Sequence, residues 1–309
     1  MALSRRSFLV GALAVAGCSY SSPTGRVRIA AGEPGGFYVE FARLLAGEMR
    51  AVEPEWRVEV VATLGSVMNL SRVAAGEAEL GLTLADALAA ARSGTEPFTA
   101  PIDLTALGRV YENYMQLVVR ADSPIRTLAD LTGQHVSLGA SGSGAALFGG
   151  RLIDTADVRV IIDHHPLADA VAALRDTRVQ ALLWSGGLPT PALSELDNAI
   201  GIRLLDLTSY IPALRDRYGP VYDQVTIPGG TYQAPTPVTT VGVPNLLIPS
   251  PSLSSPTIAA TVRVLVERAT NLVPQQALGT QYLDVRSLID TAPAPLHPAA
   301  AAMYRELRG

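Results

Sequence analysis

The sequence predicts an α/β chain folded as two lobes, with a cleft between them and two crossover strands joining them. Three observations carry this. From residue 27 onward, short apolar strands alternate with amphipathic helical segments, the pattern of a parallel sheet covered by helices. Residues 107–120 form a strand-like stretch too long for one ordinary strand, so it reads as a connection leaving one lobe and entering the other. Residues 239–248 read as a strand returning to the first lobe. With 309 residues, the chain can give each lobe its own core. The expected division is residues 27–112 plus 238–309 for lobe I and residues 113–237 for lobe II.

The elements follow in order. Residues 27–30 are a strand running into the glycine-rich 31–36 loop. Phe37, Tyr38, Phe41, Leu44, Leu45 and Met49 then recur at helical spacing. Residues 57–62 alternate as a strand. Gly65-Ser66 opens a helix through Asn69, Leu70 and Val73 that stops at Gly76. Residues 80–83 are a strand, followed by a helix to Gly94. Beyond the long stretch, residues 128–136 give a turn of helix and a strand, which opens into Gly139-Ala140-Ser141-Gly142-Ser143-Gly144 before a helix near Ala145. Strands are expected at 158–162 and 179–184, and helices at 168–178 and 257–271. No internal repeat is visible.

The first eighteen residues read as an address. Ser4-Arg5-Arg6-Ser7-Phe8-Leu9 is a twin-arginine export sequence, and the apolar run after it is too short for a permanent span. It ends at Val15-Ala16-Gly17-Cys18, which looks like a bacterial lipoprotein cleavage site. The signal peptide is then residues 1–17. Cys18 becomes the lipidated N-terminus, and residues 18–26 form a tether to the outer face of the cytoplasmic membrane or the periplasm. An ordinary signal peptide, with Cys18 cleaved off or left as a free thiol, is the alternative.

Composition excludes several chemistries. All 24 basic residues are arginine, so Schiff-base, P-loop and pyridoxal lysines are ruled out. A net charge of −4 and no basic stripe argue against nucleic acid. A single cysteine leaves no disulfide framework. His164 and His165 are adjacent, so on a strand their rings point to opposite faces, a poor metal geometry. No metal or cofactor is expected. Ser141 and Ser143 lack the final glycine of a nucleophile elbow, and no Ser-His-Asp order or acid/base carboxylate pair is visible, so no catalytic residue is assigned.

Five loops gather where an open α/β sheet binds ligands. Gly36-Phe37-Tyr38 offers backbone N–H groups at a helix start, with Phe37 read as core and Tyr38 as able to stack on a ligand. Ser66 either caps its helix or faces the cleft. Asp86 sits near a helix N-terminus, where a carboxylate is favourable anyway, so a simple cap is the safer reading. Ser141-Gly142-Ser143-Gly144 is the best anion cradle in the chain: consecutive N–H groups, two hydroxyls and a helix dipole. Trp184-Ser185-Gly186-Gly187, an aromatic followed by two glycines, can wall the second lobe's side of the cleft, with a core tryptophan as the alternative. Arg109 is a possible counter-charge or a surface residue. Tyr114, on the long stretch, completes the set.

Taken in order, these loops resemble the TAXI-type solute receptors of TRAP transporters. The stretches that carry the resemblance are Gly36-Phe37-Tyr38, Thr63-Leu64-Gly65-Ser66-Val67-Met68-Asn69-Leu70, Ala75-Gly76-Glu77-Ala78-Glu79-Leu80-Gly81-Leu82, and Asp130-Leu131 with Gly133. They continue in Leu138-Gly139 with Gly142-Ser143-Gly144, Ile227-Pro228-Gly229-Gly230-Thr231-Tyr232, and Leu296-His297-Pro298 with Tyr304-Arg305-Glu306. Asp176-Thr177-Arg178-Val179-Gln180-Ala181 departs from the Asp-Gly-x-x-Asp-Ala pattern usual in that family.

The resemblance implies a two-lobed, type II-like periplasmic-binding-protein fold with a ligand cleft. It implies a receptor that captures a small organic solute, such as an amino acid or dicarboxylate, and delivers it to an ion-gradient-driven TRAP permease. Carried over to this chain, it implies a site lined by Gly36, Phe37, Tyr38, Ser66, Asn69, Ser141, Gly142, Ser143 and Gly144, with the loop of Trp184, Gly186 and Gly187 fitting the same role on less support; Asp86 and Tyr114 join the expected ligand set from the reading of the loops. A lipoprotein that senses a ligand for a signalling partner, or an exported serine hydrolase, are the alternatives.

Overall fold

The computed structural model describes residues 25–308 except 275, 276, 280 and 282. The twin-arginine stretch, Cys18 and most of the tether lie outside the described residues. The first half of the chain reads β1 (Arg26–Ala30), α1 (Phe37–Val52), β2 (Arg57–Val61), α2 (Ser66–Ala74), β3 (Leu80–Leu84), α3 (Ala85–Ser93) and β4 (Gly108–Arg120). It continues with β5 (His135–Ser137), α4 (Gly144–Ala156), β6 (Ile161–Asp163), α5 (Leu167–Arg175), β7 (Ala181–Gly186), α6 (Pro191–Ile200) and β8 (Ile202–Leu204). The last elements are α7 (Ile211–Tyr218), β9 (Asp223–Ile227), β10 (Val238–Pro249), α8 (Ser255–Glu267), α9 (Val285–Leu288) and α10 (Pro298–Leu307). Among the described residues, no helix is long and apolar enough to cross a membrane.

One curled sheet runs in the order β2-β1-β3-β10-β4-β7-β5-β6, with β8 on β4 and β9 on β10. The β1–β3 pairings and the β5–β7 pairings are parallel, each built from βα units. β4 and β10 run antiparallel to their neighbours and to each other. The 107–120 stretch is one continuous 13-residue strand that runs from one half of the sheet into the other: β10 backs it from Gly108 to Tyr114, and β7 and β8 back the remainder.

The partners of these two strands change along their length. β10 pairs with β9 over residues 238–242 and with β3 over residues 245–249. β4 pairs with β10 at its start, and with β7 from Tyr114.

Burial follows this topology. α1, α8 and α10 cover β1, β3 and the start of β4 through Phe41, Leu45, Met49, Ile258, Leu265 and Tyr304, all buried. The Tyr304 hydroxyl donates to the Leu107 carbonyl at 2.9 Å, tying the C-terminal helix to the mouth of β4. On the far half, α5 and α6 pack Leu167, Leu174, Leu193 and Leu196 against β4 and β7. Such burial contributes about 1.5–3 kcal/mol for each large aliphatic side chain.

Asn69 shows how the first half is stapled. It lies on α2 with its side chain fully buried. Its amide donates to the carbonyls of Ala31 at 2.5 Å and Leu82 at 2.7 Å, and its oxygen accepts from Thr63 Oγ1 at 2.6 Å. One side chain therefore joins the ends of β1, β2 and β3. Removing it takes a side-chain donor from the Leu82 carbonyl and leaves the Ala31 carbonyl with the longer 3.3 Å bond from Thr63 Oγ1. Asn69→Ala is expected to lower stability by about 2–3 kcal/mol, read as a reduced urea midpoint with an unchanged slope.

Candidate functional site

Three strand-to-helix junctions set the site. The β1–α1 loop ends at Gly36, the N-cap of the 16-residue α1. The β2–α2 loop ends at Gly65, whose φ of 117° is open to glycine alone and which caps the 9-residue α2. The β5–α4 loop turns through Gly139 and Gly142, both at positive φ, and ends at Ser143. Ser143 Oγ accepts the Ala146 N–H at 3.0 Å and so caps the 13-residue α4. The first turns of α1, α2 and α4 meet at one cavity of about 40 Å³. A helix cannot bond its own first amides, so this convergence presents N–H donors and three positive dipole ends.

Phe37, Tyr38, Leu84 and Trp184 give the cavity its apolar walls, and Glu33, Ser66, Asn113 and Ser185 its polar side chains. The Tyr38 hydroxyl shares a 3.1 Å hydrogen bond with Ser66 Oγ, which also accepts the Leu84 N–H. Burial pushes the Tyr38 phenol up, so it stays a neutral donor. Trp184 Nε1 donates to Thr190 Oγ1 at 3.0 Å, and the Thr190 N–H donates to the Tyr232 hydroxyl at 2.7 Å. The indole is thereby fixed with its edge 3.5 Å from where a Cβ on Gly36 would sit. Asn113 Nδ2 donates to Ser185 Oγ at 2.9 Å. Among the described residues, no arginine or histidine lines this cavity.

Of the residues expected from sequence, Gly36, Phe37, Tyr38, Ser66, Ser143, Gly144, Trp184 and Gly186 line it together. Gly187 sits beside it under Phe37, where a Cβ would fall 2.3 Å from the ring. Ser141 and Gly142 instead face a separate groove of about 900 Å³ between α2–α3 and α4, and Ser143 borders both. Asn69 is spent on the loop staple. Tyr114 is buried among β7 and α6 residues. Asp86 is fully buried in the first turn of α3, 3.3 Å from Arg151 of α4 and accepting from the Tyr222 hydroxyl at 3.2 Å. Burial raises its carboxyl, and Arg151 and Tyr222 pull it part of the way back. Arg109 is no counter-charge for the cavity, because it is held by Glu112, Asp223 and Asp290.

Glu33, Asn113 and Ser185 were not singled out from sequence. Ser185 was read only as part of the Trp184–Gly187 wall, and Asn113 carried no signal, lying on a strand whose facing depends on the sheet. Their role emerges from contacts across the structure. Glu33 Oε2 accepts the N–H of Leu167, the first residue of α5, at 2.6 Å. Met68 donates its N–H to the Gly142 carbonyl at 3.1 Å. A Cβ at Gly144 would come within 2.5 Å of Leu84 and 2.7 Å of Ser66 Oγ. These contacts draw the β1–β3 half and the β5–β7 half together around the cavity. Among the described residues no serine bonds a histidine, His164 Nδ1 being taken by the Gly139 carbonyl, and no cluster of three His, Cys, Asp or Glu side chains suits a metal.

Burial pushes the Glu33 carboxyl above its ordinary range, and its bond from Leu167 offsets part of this. The folded chain therefore holds the Glu33 proton to higher pH than the unfolded chain. That contribution to stability is present at acid pH and is lost as pH rises through the folded value. Glu33→Gln keeps an acceptor for Leu167 and abolishes the ionisation. The variant is expected to melt above the wild type at neutral pH, with the gap closing toward about pH 4. Thermal unfolding across that range checks it; a gap independent of pH would contradict it.

Comparison with known proteins completes the picture. The periplasmic binding protein BugD has a TM-score of 0.57 to this structure at 15% identity, over 92% of this chain and 96% of that one. A periplasmic transporter gives 0.54 at 14% identity, over 93% of each chain. MatC from Rhodopseudomonas palustris, with bound malate, gives 0.53 at 16% identity, over 82% of this chain and 90% of that one. At such identities the likeness is one of fold, and the fold is the two-lobed one of periplasmic binding proteins. A model of the NMT1-like family matches residues 29–307, nearly the whole of the described chain, and the protein belongs to that family.

Proposed function

We propose that the protein is an extracytoplasmic solute receptor of the TAXI type. It takes a small organic carboxylate, such as an amino acid or a dicarboxylate, and passes it to a TRAP-type permease driven by an ion gradient. The observation that carries this reading is the meeting of three helix N-termini, two from one half of the sheet and one from the other, at one small cavity. Backbone donors and dipoles of this kind hold a carboxylate without a basic side chain. MatC, with malate bound in the same fold, is in keeping with a solute of this class.

The mechanism follows from which half each group belongs to. Residues 27–112 plus 238–309 act as lobe I and residues 113–237 as lobe II. Lobe I supplies the first turns of α1 and α2, with Tyr38 and Ser66. Lobe II supplies the first turn of α4 and the Trp184–Ser185 wall. A solute touching both sets binds the closed form better than the open one, and that difference drives closure. Met68–Gly142, Glu33–Leu167 and Asp86–Arg151 are made only when the lobes are together. Export by the twin-arginine route and a lipid anchor at Cys18 place the receptor at the outer face of the membrane.

A thermal-shift screen of the protein without residues 1–17, against amino acids, dicarboxylates, keto acids and neutral analogues, tests the reading. A carboxylate at about a hundred times its Kd is expected to raise the melting temperature by about 5 °C or more. No response from any carboxylate would overturn the assignment. Gly144→Ala places a methyl group in the Leu84–Ser66 contact across the cleft. It is expected to weaken binding of the responding solute about tenfold to a hundredfold, from an overpacking cost of about 1–3 kcal/mol in the closed form. Unchanged affinity in calorimetry would remove α4 from the site.

A further inference from the structure

The free edge of the sheet at β6 carries a pattern that fits itself. β6 is the terminal strand and pairs only with β5. Its two isoleucines, Ile161 and Ile162, are 47% and 45% exposed, two of the three large apolar side chains that stand in solvent among the described residues. An uncovered apolar edge invites another strand, and proteins usually shield one with charge, a bulge or a covering element.

Backbone geometry fixes which groups the edge offers. Toward β5, the Ile161 N–H donates to the Gln134 carbonyl at 2.8 Å. The Arg159 carbonyl accepts from Gly133 at 2.7 Å, and the Asp163 carbonyl accepts from Leu138 at 2.9 Å. Residues 159, 161 and 163 thus spend their in-plane groups inward. By alternation, the N–H and C=O groups of Val160 and Ile162 point away from the sheet.

Side chains select the register. Take a second copy antiparallel to β6 with the twofold axis at Ile161. Val160 then lies opposite Ile162 of the second copy, and Ile162 opposite Val160, so the outward groups exchange four hydrogen bonds. Ile161 faces its own counterpart. Arg159 and Asp163 lie opposite each other at both ends of the ribbon. Arg159 is exposed and makes no ion pair among the described residues. Asp163 accepts from His135 Nδ1 through Oδ2 at 2.8 Å, which leaves Oδ1 for a guanidinium. Centring the axis on Val160 or Ile162 instead also joins the outward groups but loses both charge pairs. We propose that two copies of this chain associate through β6 into one continuous sheet, in the register that sets Arg159 against Asp163. β7 and β5 separate β6 from β4, so the edge lies away from the crossover strands.

Sedimentation equilibrium of the protein without residues 1–17, from micromolar to about 1 mM, tests this. Five residues a side make a small interface, so reversible dimerisation with a Kd of about 10–500 μM is expected, weakening in high salt. Arg159→Asp sets two aspartates together at each end and is expected to raise the Kd at least tenfold. Adding Asp163→Arg to the same chain reverses both pairs and is expected to recover dimerisation to within about threefold of the wild type. Because the Arg159 side chain holds no partner among the described residues, an unchanged melting temperature in dilute Arg159→Asp separates loss of contact from loss of fold. A wild type that stays monomeric throughout, or a dimer indifferent to Arg159→Asp, overturns the proposal.

Discussion

Everything in this molecule hangs on the pairing of β4 with β10. They are 13 and 12 residues long, and each belongs to both halves of the sheet. They hold each other from Gly108–Leu247 to Tyr114–Gly242, then diverge to separate partners. The strand-to-helix loops on either side are positioned relative to this one ribbon. The register slips between Asn245 and Leu246. Around that bulge the amide of Asn245 and the hydroxyl of Tyr111 are buried and find no partner among the described residues. Buried polar groups without partners are costly.

The cleft's electrostatics rest on backbone rather than on side chains. Every arginine near the site is committed elsewhere: Arg109 to three carboxylates, and Arg151 to Asp86 and Tyr222. What remains in the cavity are helix amides, hydroxyls and the Glu33 carboxylate. Fixed dipoles do not need to reorganise when a charge arrives, and they cannot be neutralised by a neighbour. The Asp86–Arg151 pair, buried between α3 and α4, gains little net stability from its charges because desolvation offsets their attraction. Breaking it would leave one charge buried alone, which makes it a strict condition on how the two halves meet.

Much of this was legible in the chain. Glycine and serine at the ends of short apolar strands marked the 31–36, 65–66 and 139–144 loops, because few other residues tolerate those turns or cap those helices. The helical spacing of Phe37 to Met49 and the alternation of residues 57–61 placed α1 and β2. The long run at 107–120 exceeded an ordinary strand, and only its pairing with a strand more than a hundred residues later shows it to be continuous. Side-chain partners could not be read where they are remote. Asn69 points into the β1–β3 junction, Asp86 finds Arg151 65 residues away, and Glu33 finds Leu167 134 residues away. Nothing local encodes such contacts. Asn113 was missed for the same reason, since a polar residue on a strand reveals its facing only once the sheet exists.

The central claim is that helix N-termini, and not a basic side chain, hold a carboxylate between the lobes. Calorimetry of the protein with a bound-state carboxylate and with its isosteric amide tests this most directly. Loss of the charge should weaken binding at least tenfold, a cost of about 1.4 kcal/mol or more. Equal affinity for the acid and the amide would contradict the account.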